Sequence, residues 1–215
     1  GLHTLSMGIS SSVNQIAITI VRVVLNNSLT YYGAMSVYGE DIPLAACGIV
    51  MKTNAILLSI IVGISQGVQP IIGFNYGAGE NGRVKEAIRY LAAMLIIYST
   101  VAWFIILLIP KFLIGIFTAD AALITAGVPS LHIYFFGFFL MAFMFTGQTV
   151  FVGIGKAKFA IFFSILRKGI VVIPLILLLP IWFGVNGVFL AEPISNLIGG
   201  LACFTTMYFA VYRKL

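Results

Sequence analysis

Apolar residues fill this chain in blocks of about twenty or more, separated by shorter stretches where glycine, proline, asparagine and charge collect. Six blocks stand out, at residues 7–30, 42–66, 87–109, 129–152, 159–180 and 187–210. An α-helix rises about 1.5 Å per residue and the hydrocarbon core of a bilayer is about 30 Å thick, so each block can cross it. The intervening residues, 31–41, 67–86, 110–128, 153–158 and 181–186, read as loops. The apolarity is continuous and lacks the strand-length alternation of a membrane β-barrel. The expected fold class is all-α, a polytopic membrane protein whose residues 1–215 form a single six-transmembrane-helix bundle.

Proline placement refines the span map. Pro43, Pro110, Pro129 and Pro180 fall at block ends, where a missing N–H is harmless. Pro70, Pro174 and Pro193 fall inside or just past helices and predict kinks or breaks. Membrane helices tolerate these where neighbours or a wet cavity satisfy the freed carbonyls. The sequence shows no convincing internal repeat.

Composition supports the membrane reading. The chain is 61% hydrophobic and only 8% charged, about a third of the roughly 25% found in soluble domains. Too few charges remain to coat a globule, and the apolar content is too high for a disordered chain. The net charge of +6 raises nucleic acid as a partner, but the basic residues are scattered between apolar runs and form no binding strip. Cys47 and Cys203 sit in apolar stretches and form no framework.

Basic residues set the expected orientation. Arg83, Lys85, Arg89, Lys156, Lys158, Arg213 and Lys214 fall on one side, whereas the other holds Lys111 beside Glu40, Asp41 and Asp120. Lys and Arg near span ends stay cytoplasmic, so a multi-pass protein of the cell membrane with both termini of this segment inside is expected. Gly1-Leu2-His3 lacks an initiator Met and resembles no signal peptide. The chain reads as a piece of a longer one, with a cloning scar as the alternative.

A charge in mid-membrane costs about 2.5 to 3.5 kcal/mol on the generous insertion scale, so each needs a reason. Arg22, Lys52, Arg167, Lys168 and Glu192 fall within the blocks. Ser11, Gln15, Thr19, Arg22 and Asn26 share one helical face of the first block. That face reads either as a wall of a hydrated translocation cavity or as interhelical hydrogen bonding. On the fourth block Tyr134, Phe138, Met141, Phe145 and Gln148 recur at helical spacing. This stripe suits varied apolar guests, because thioethers adapt and aromatic faces attract cations, or else it is plain packing. Arg167 and Lys168 read as snorkelling anchors or as gating and pairing groups. Glu192 reads chiefly as a helix N-terminal anion beside Pro193, and otherwise as a candidate site for a coupling cation. No Cys/His/Asp cluster has metal spacing, and neither a P-loop nor an esterase or zinc-protease motif occurs, so no enzyme is expected and no cofactor is predicted.

The stretch at residues 63–89, GISQGVQPIIGFNYGAGENGRVKEAIR, carries Gln69, Pro70, Asn75, Tyr76, Gly77, Ala78 and Arg83. It resembles the signature of the multidrug and toxic compound extrusion (MATE) transporters of the MOP flippase superfamily, where these residues mark the inner end of a helix and its cytoplasmic loop. Asn26-Asn27 with Tyr32-Gly33, Gly153-Ile154-Gly155-Lys156 and Ala191-Glu192-Pro193-Ile194-Ser195 follow in the same order as in the C-terminal six-helix lobe of that family. The resemblance implies one lobe of a twelve-helix transporter, working with an N-terminal lobe. Together they would export organic cations or drugs by alternating access in exchange for sodium or protons. The resemblance departs in one respect: the first and fourth helices offer no acid here, which places a coupling-ion site in the N-terminal lobe. A lipid-linked sugar flippase, with Arg22, Lys52, Arg167 and Lys168 meeting phosphate, and a structural or channel-forming subunit remain as alternatives.

Overall fold

Helices replace both the apolar blocks and much of the expected loops. The computed structural model describes the backbone of all residues except Gly1, Tyr38 and Glu40, and side chains for Ser12, Val13 and residues 15 onward apart from those two. Ser11 of the polar stripe and Glu40 therefore lie outside the described side chains. In chain order the helices are α1 (Leu2–Ala34), α2 (Asp41–Gly77), α3 (Asn81–Leu108), α4 (Pro110–Gly115), α5 (Ala121–Tyr134), α6 (Met141–Gly153), α7 (Ala157–Ile165), α8 (Val172–Phe183) and α9 (Val185–Ala210). No strand occurs among the described residues. Asp41–Gly77, Asn81–Leu108, Ala157–Phe183 and Val185–Lys214 are each long and apolar enough to cross a membrane. Ala121–Tyr134 and Phe138–Gly153 are long and apolar enough only when taken together, and they meet at a 40° bend, the geometry of a broken span or a re-entrant loop.

Several sequence expectations need correction. Residues 67–86 are not a loop: α2 runs 37 residues to Gly77, about 55 Å at 1.5 Å per residue, and only 78–80 turn before α3. Hydropathy marks where the membrane ends, whereas the hydrogen-bonded helix continues beyond it. Residues 110–128 likewise hold α4 and the start of α5. Pro129 and Pro180 lie inside helices and not at ends, and α2 and α9 pass through Pro70 and Pro193 unbroken. The fourth span is not one helix: Gly137, at φ +70°, interrupts it, followed by a 3-10 turn at Phe138–Leu140. The fifth carries a π-helical turn at Leu166–Val171.

The core is aromatic and aliphatic, with Phe135, Phe151, Phe189, Leu91 and Leu95 fully buried. Close helix crossings run through glycines. A Cβ on Gly73 would lie 2.8 Å from the Gly153 carbonyl oxygen, and one on Gly147 would lie 2.7 Å from Cys203 Sγ. One on Gly200 would lie 3.0 Å from the Leu140 carbonyl oxygen. These small residues let α2, α6 and α9 approach almost backbone to backbone, which is how membrane helices gain dispersion energy without a hydrophobic driving force. The result is a firm frame with the two interrupted spans packed into it.

Candidate functional site

The two interruptions border one cavity. Pro174 has no N–H to offer the Ile170 carbonyl, so the α-helical bond there cannot form. The helix widens just before it, with the Val172 N–H reaching back five residues to the Arg167 carbonyl. That turn presents Arg167 and Lys168 to a cavity of about 170 Å³. Tyr134 and Met141, on either side of the α5–α6 break, form another part of its wall. Arg22 of α1, Asn54 of α2 and Glu192 of α9 complete the polar lining. Met51, Leu58 and Ile176 belong to the apolar remainder.

Arg167 is the cation held by an ion pair among the described residues. Its Nη1 donates to Glu192 Oε1 at 2.9 Å and to Asn196 Oδ1 at 2.8 Å. The two charged side chains are only 8% and 19% exposed, so each makes the other tolerable in a low-dielectric interior. A Cβ on Gly199 would lie 2.9 Å from Arg167 Cβ and Cγ, so this glycine makes room for the arginine stem. Glu192, Asn196 and Gly199 are four and three residues apart on α9 and thus share a face. Arg167 is therefore no snorkelling anchor, and Glu192, seven residues into its helix, is a pairing partner and not a helix N-terminal anion. Sequence reading missed Asn196, Gly199 and Asn54. The spacing along α9 was the available signal for the first two.

The other expected site residues divide. Gln15, Thr19, Arg22 and Asn26 are exposed on α1, and Thr19 Oγ1 donates to the Gln15 carbonyl at 2.9 Å within its own helix. No described hydrogen bond ties that stripe to another helix of the bundle, and only Arg22 of the four borders the cavity. Lys52 is exposed and does not line the cavity. The fourth-span stripe is split by the break: Tyr134 and Met141 meet the cavity, with the Tyr134 hydroxyl 3.9 Å from Met51 Sδ. Phe138 instead packs in the core, its ring centroid 5.5 Å from that of Phe135. Phe145 and Gln148 line a separate hollow with Ser65, Gln66 and Gln69.

The signature residues build the end of α2. Asn75 Nδ2 donates to the Ile71 carbonyl at 2.8 Å, and the Asn75 carbonyl accepts from the Glu80 N–H at 2.9 Å. The Ala78 N–H reaches the Phe74 carbonyl, and the chain turns at Gly79 with φ +75°. Pro70, Tyr76, Gly77, Ala78 and Arg83 are exposed there. Arg83 borders a groove with Asn75, Glu86 and Tyr90. Nearby, Arg89 Nε donates to Tyr212 Oη at 2.7 Å, and Lys85 Nζ lies 5.6 Å from that ring's centroid. The start of α3 and the C-terminal segment thus meet at one end of the bundle.

Continuous apolar helices, glycine-mediated crossings and a charged cavity bordered by broken spans define an α-helical, multi-pass membrane protein. The chain belongs to the MatE family, whose profile matches residues 13–178. It is 26% identical over 204 residues to the multidrug export protein MepA of Staphylococcus aureus strain bovine RF122 / ET3-1, covering 94% of this chain and 43% of MepA. It is 27% identical over 204 residues to MepA of Staphylococcus saprophyticus, with the same coverage of each. The chain therefore spans less than half the length of these relatives.

Among solved structures, the fold resembles MATE in its straight conformation, at TM-score 0.85 and 18% identity over 97% of this chain and 46% of the other. It also resembles an outward-facing multidrug resistance MATE transporter of the MOP superfamily, at TM-score 0.83, 18% identity and the same coverage. A third is a MOP superfamily transporter from Pyrococcus furiosus Vc1, described by a binding pocket of reverse polarity that suggests a different function, at TM-score 0.83, 18% identity and again that coverage.

Proposed function

We propose that this chain is one six-helix lobe of a multidrug exporter that works by alternating access with a second six-helix lobe, moving organic cations and drugs in exchange for sodium or protons. The observation that carries this reading is the meeting of two interrupted helices at one charged cavity. Discontinuous membrane helices characteristically form the substrate sites of secondary transporters, because unwound backbone is tolerated only where it faces protein or a cavity. The exposed polar stripe of α1 fits the same picture, since it suits a wet wall facing a second lobe better than it suits lipid. The MepA relatives are multidrug export proteins, which supports the cargo class.

The coupling ion belongs elsewhere in this reading. Glu192 is the acid that borders the cavity, and its carboxylate already neutralises Arg167. Binding a cation there would leave a buried guanidinium uncompensated. The coupling carboxylate is thus assigned to the other lobe. The basic end, with Arg83, Lys85 and Arg89 close to the C-terminal segment, is assigned to the cytoplasm. The positive balance of the cavity favours a second reading, transport of an anionic cargo such as a lipid-linked sugar.

The complete protein in proteoliposomes, loaded with ethidium and given an opposing sodium or proton gradient, tests the first reading. Efflux should follow one of the gradients and collapse with it. Gradient-independent leakage would point to a channel-forming subunit, and no movement at all would remove the exporter reading.

A further inference from the structure

Three cationic side chains, Arg22, Arg167 and Lys168, border the cavity against a single carboxylate, that of Glu192. That carboxylate is taken, held 2.9 Å from Arg167 Nη1. Arg22 and Lys168 have no ion-pair partner among the described residues. Two cations without an ion-pair partner at membrane depth are costly, and the cavity they line offers a counter-ion a place. Arg167 contributes a second sign of a vacant partner: the residue is 7% exposed, and its Nε is buried without a hydrogen-bond acceptor. The remaining wall, with Met51, Leu58, Ile176 and Val188, is apolar.

We infer that this cavity is an oxyanion site that takes the carboxylate or phosphate of an amphiphile. Arg22 and Lys168 supply the attraction, while Glu192 and Asn196 hold Arg167 as a fixed third charge. The apolar wall receives the hydrophobic part of the same molecule. Charge-assisted hydrogen bonds are about twice as strong as neutral ones, and in a low-dielectric setting they select sharply against ligands that lack the anion. The inference rests on the export reading for transport through this cavity but replaces its cationic cargo, at this site, with an anionic amphiphile. The oxyanion can come from a drug carboxylate or from an anionic lipid headgroup.

The test uses the complete protein in phosphatidylcholine nanodiscs, with binding of norfloxacin, which bears a carboxylate, compared with that of ethidium, which bears none. A third arm replaces half the lipid by phosphatidylglycerol. R22Q and K168Q should each weaken norfloxacin binding about tenfold, the loss of one charged hydrogen bond. K168R should restore it, K52Q should change nothing because Lys52 does not line the cavity, and ethidium binding should not weaken in any of the four. Arg22 is exposed, so R22Q does not endanger folding.

If phosphatidylglycerol competes with norfloxacin in the wild type and ceases to in R22Q, a lipid headgroup is the natural oxyanion. If it does not compete, a soluble substrate is. Unchanged norfloxacin binding in both R22Q and K168Q, or its absence in the wild type together with no phosphatidylglycerol effect on thermal stability, overturns the site. Ethidium efflux is scored separately: its failure removes the exporter reading, whereas the binding result stands or falls on the variants.

Discussion

The cavity around Arg167 and the glycine crossings of α2, α6 and α9 use opposite means to stay folded. At the crossings side chains are nearly absent: Gly73 leaves no space for a methyl group, and one on Gly153 would press on Ile72 and the Gln69 carbonyl at 3.1 to 3.3 Å. Around Arg167 the side chains are long and charged, and a widened helical turn with a neighbouring helix break leaves a void. One region gains stability from close contact over many atoms, the other from a single buried pair with its amide support. A transporter wall needs both, because a fixed frame lets a few adaptable elements move without loss of the bundle. The contrast also predicts how each region fails: the crossings by steric overlap, the cavity by an uncompensated charge.

The largest effect should come from splitting the pair. Arg167→Met leaves the half-buried Glu192 without its hydrogen-bonded cation, at a cost below the about 3 to 5 kcal/mol of breaking a fully buried pair, whereas replacing both partners by apolar groups is commonly near neutral. Thermal unfolding in detergent should therefore show a steep loss for Arg167→Met and recovery of most of it in Arg167→Met/Glu192→Leu. An equally unstable double variant would mean that the pair does not act as a unit. A smaller loss, about 1 to 3 kcal/mol, is expected for Gly73→Val, which overpacks the crossing. Its Cβ meets the Gly153 carbonyl, backbone that no rotamer change can relieve. A Gly73→Val protein with the wild-type unfolding temperature would show that the helices can slide apart at no cost.

How far the sequence foretold these two regions follows from what hydropathy can see. It finds membrane-length apolar runs, so helices covering the blocks and the family signature at the end of α2 were legible. It is blind to interruptions that stay apolar. Gly137 sits among Phe135, Phe136 and Phe138, and no fall in hydropathy announces the φ of +70° that only a glycine adopts easily. It also ends a helix where the membrane ends, which turned the last helical turns of α2 into an expected loop. The Arg167–Glu192 pair joins residues on different helices, and one sequence does not record such a contact. The nearest hint is the spacing of Glu192, Asn196 and Gly199, which becomes informative only once a partner helix is known to face them.

The smallest effects on stability separate wall from frame. Met141 is 2% exposed yet borders the cavity, so truncation to alanine would mix a packing loss of about 2 to 5 kcal/mol with any change in binding. Met141→Leu conserves volume and should cost less than about 1.5 kcal/mol, while removing the flexible thioether that adapts to different guests. Gln15 is exposed, and Gln15→Leu should alter stability by no more than about 0.5 kcal/mol. In the complete protein both should shift the relative resistance conferred against several drugs by a few fold, with membrane levels unchanged. Resistance profiles that match the wild type drug for drug would return Met141 to the packed frame and Gln15 to an inert surface. The cavity would then be bounded by its charged side chains alone.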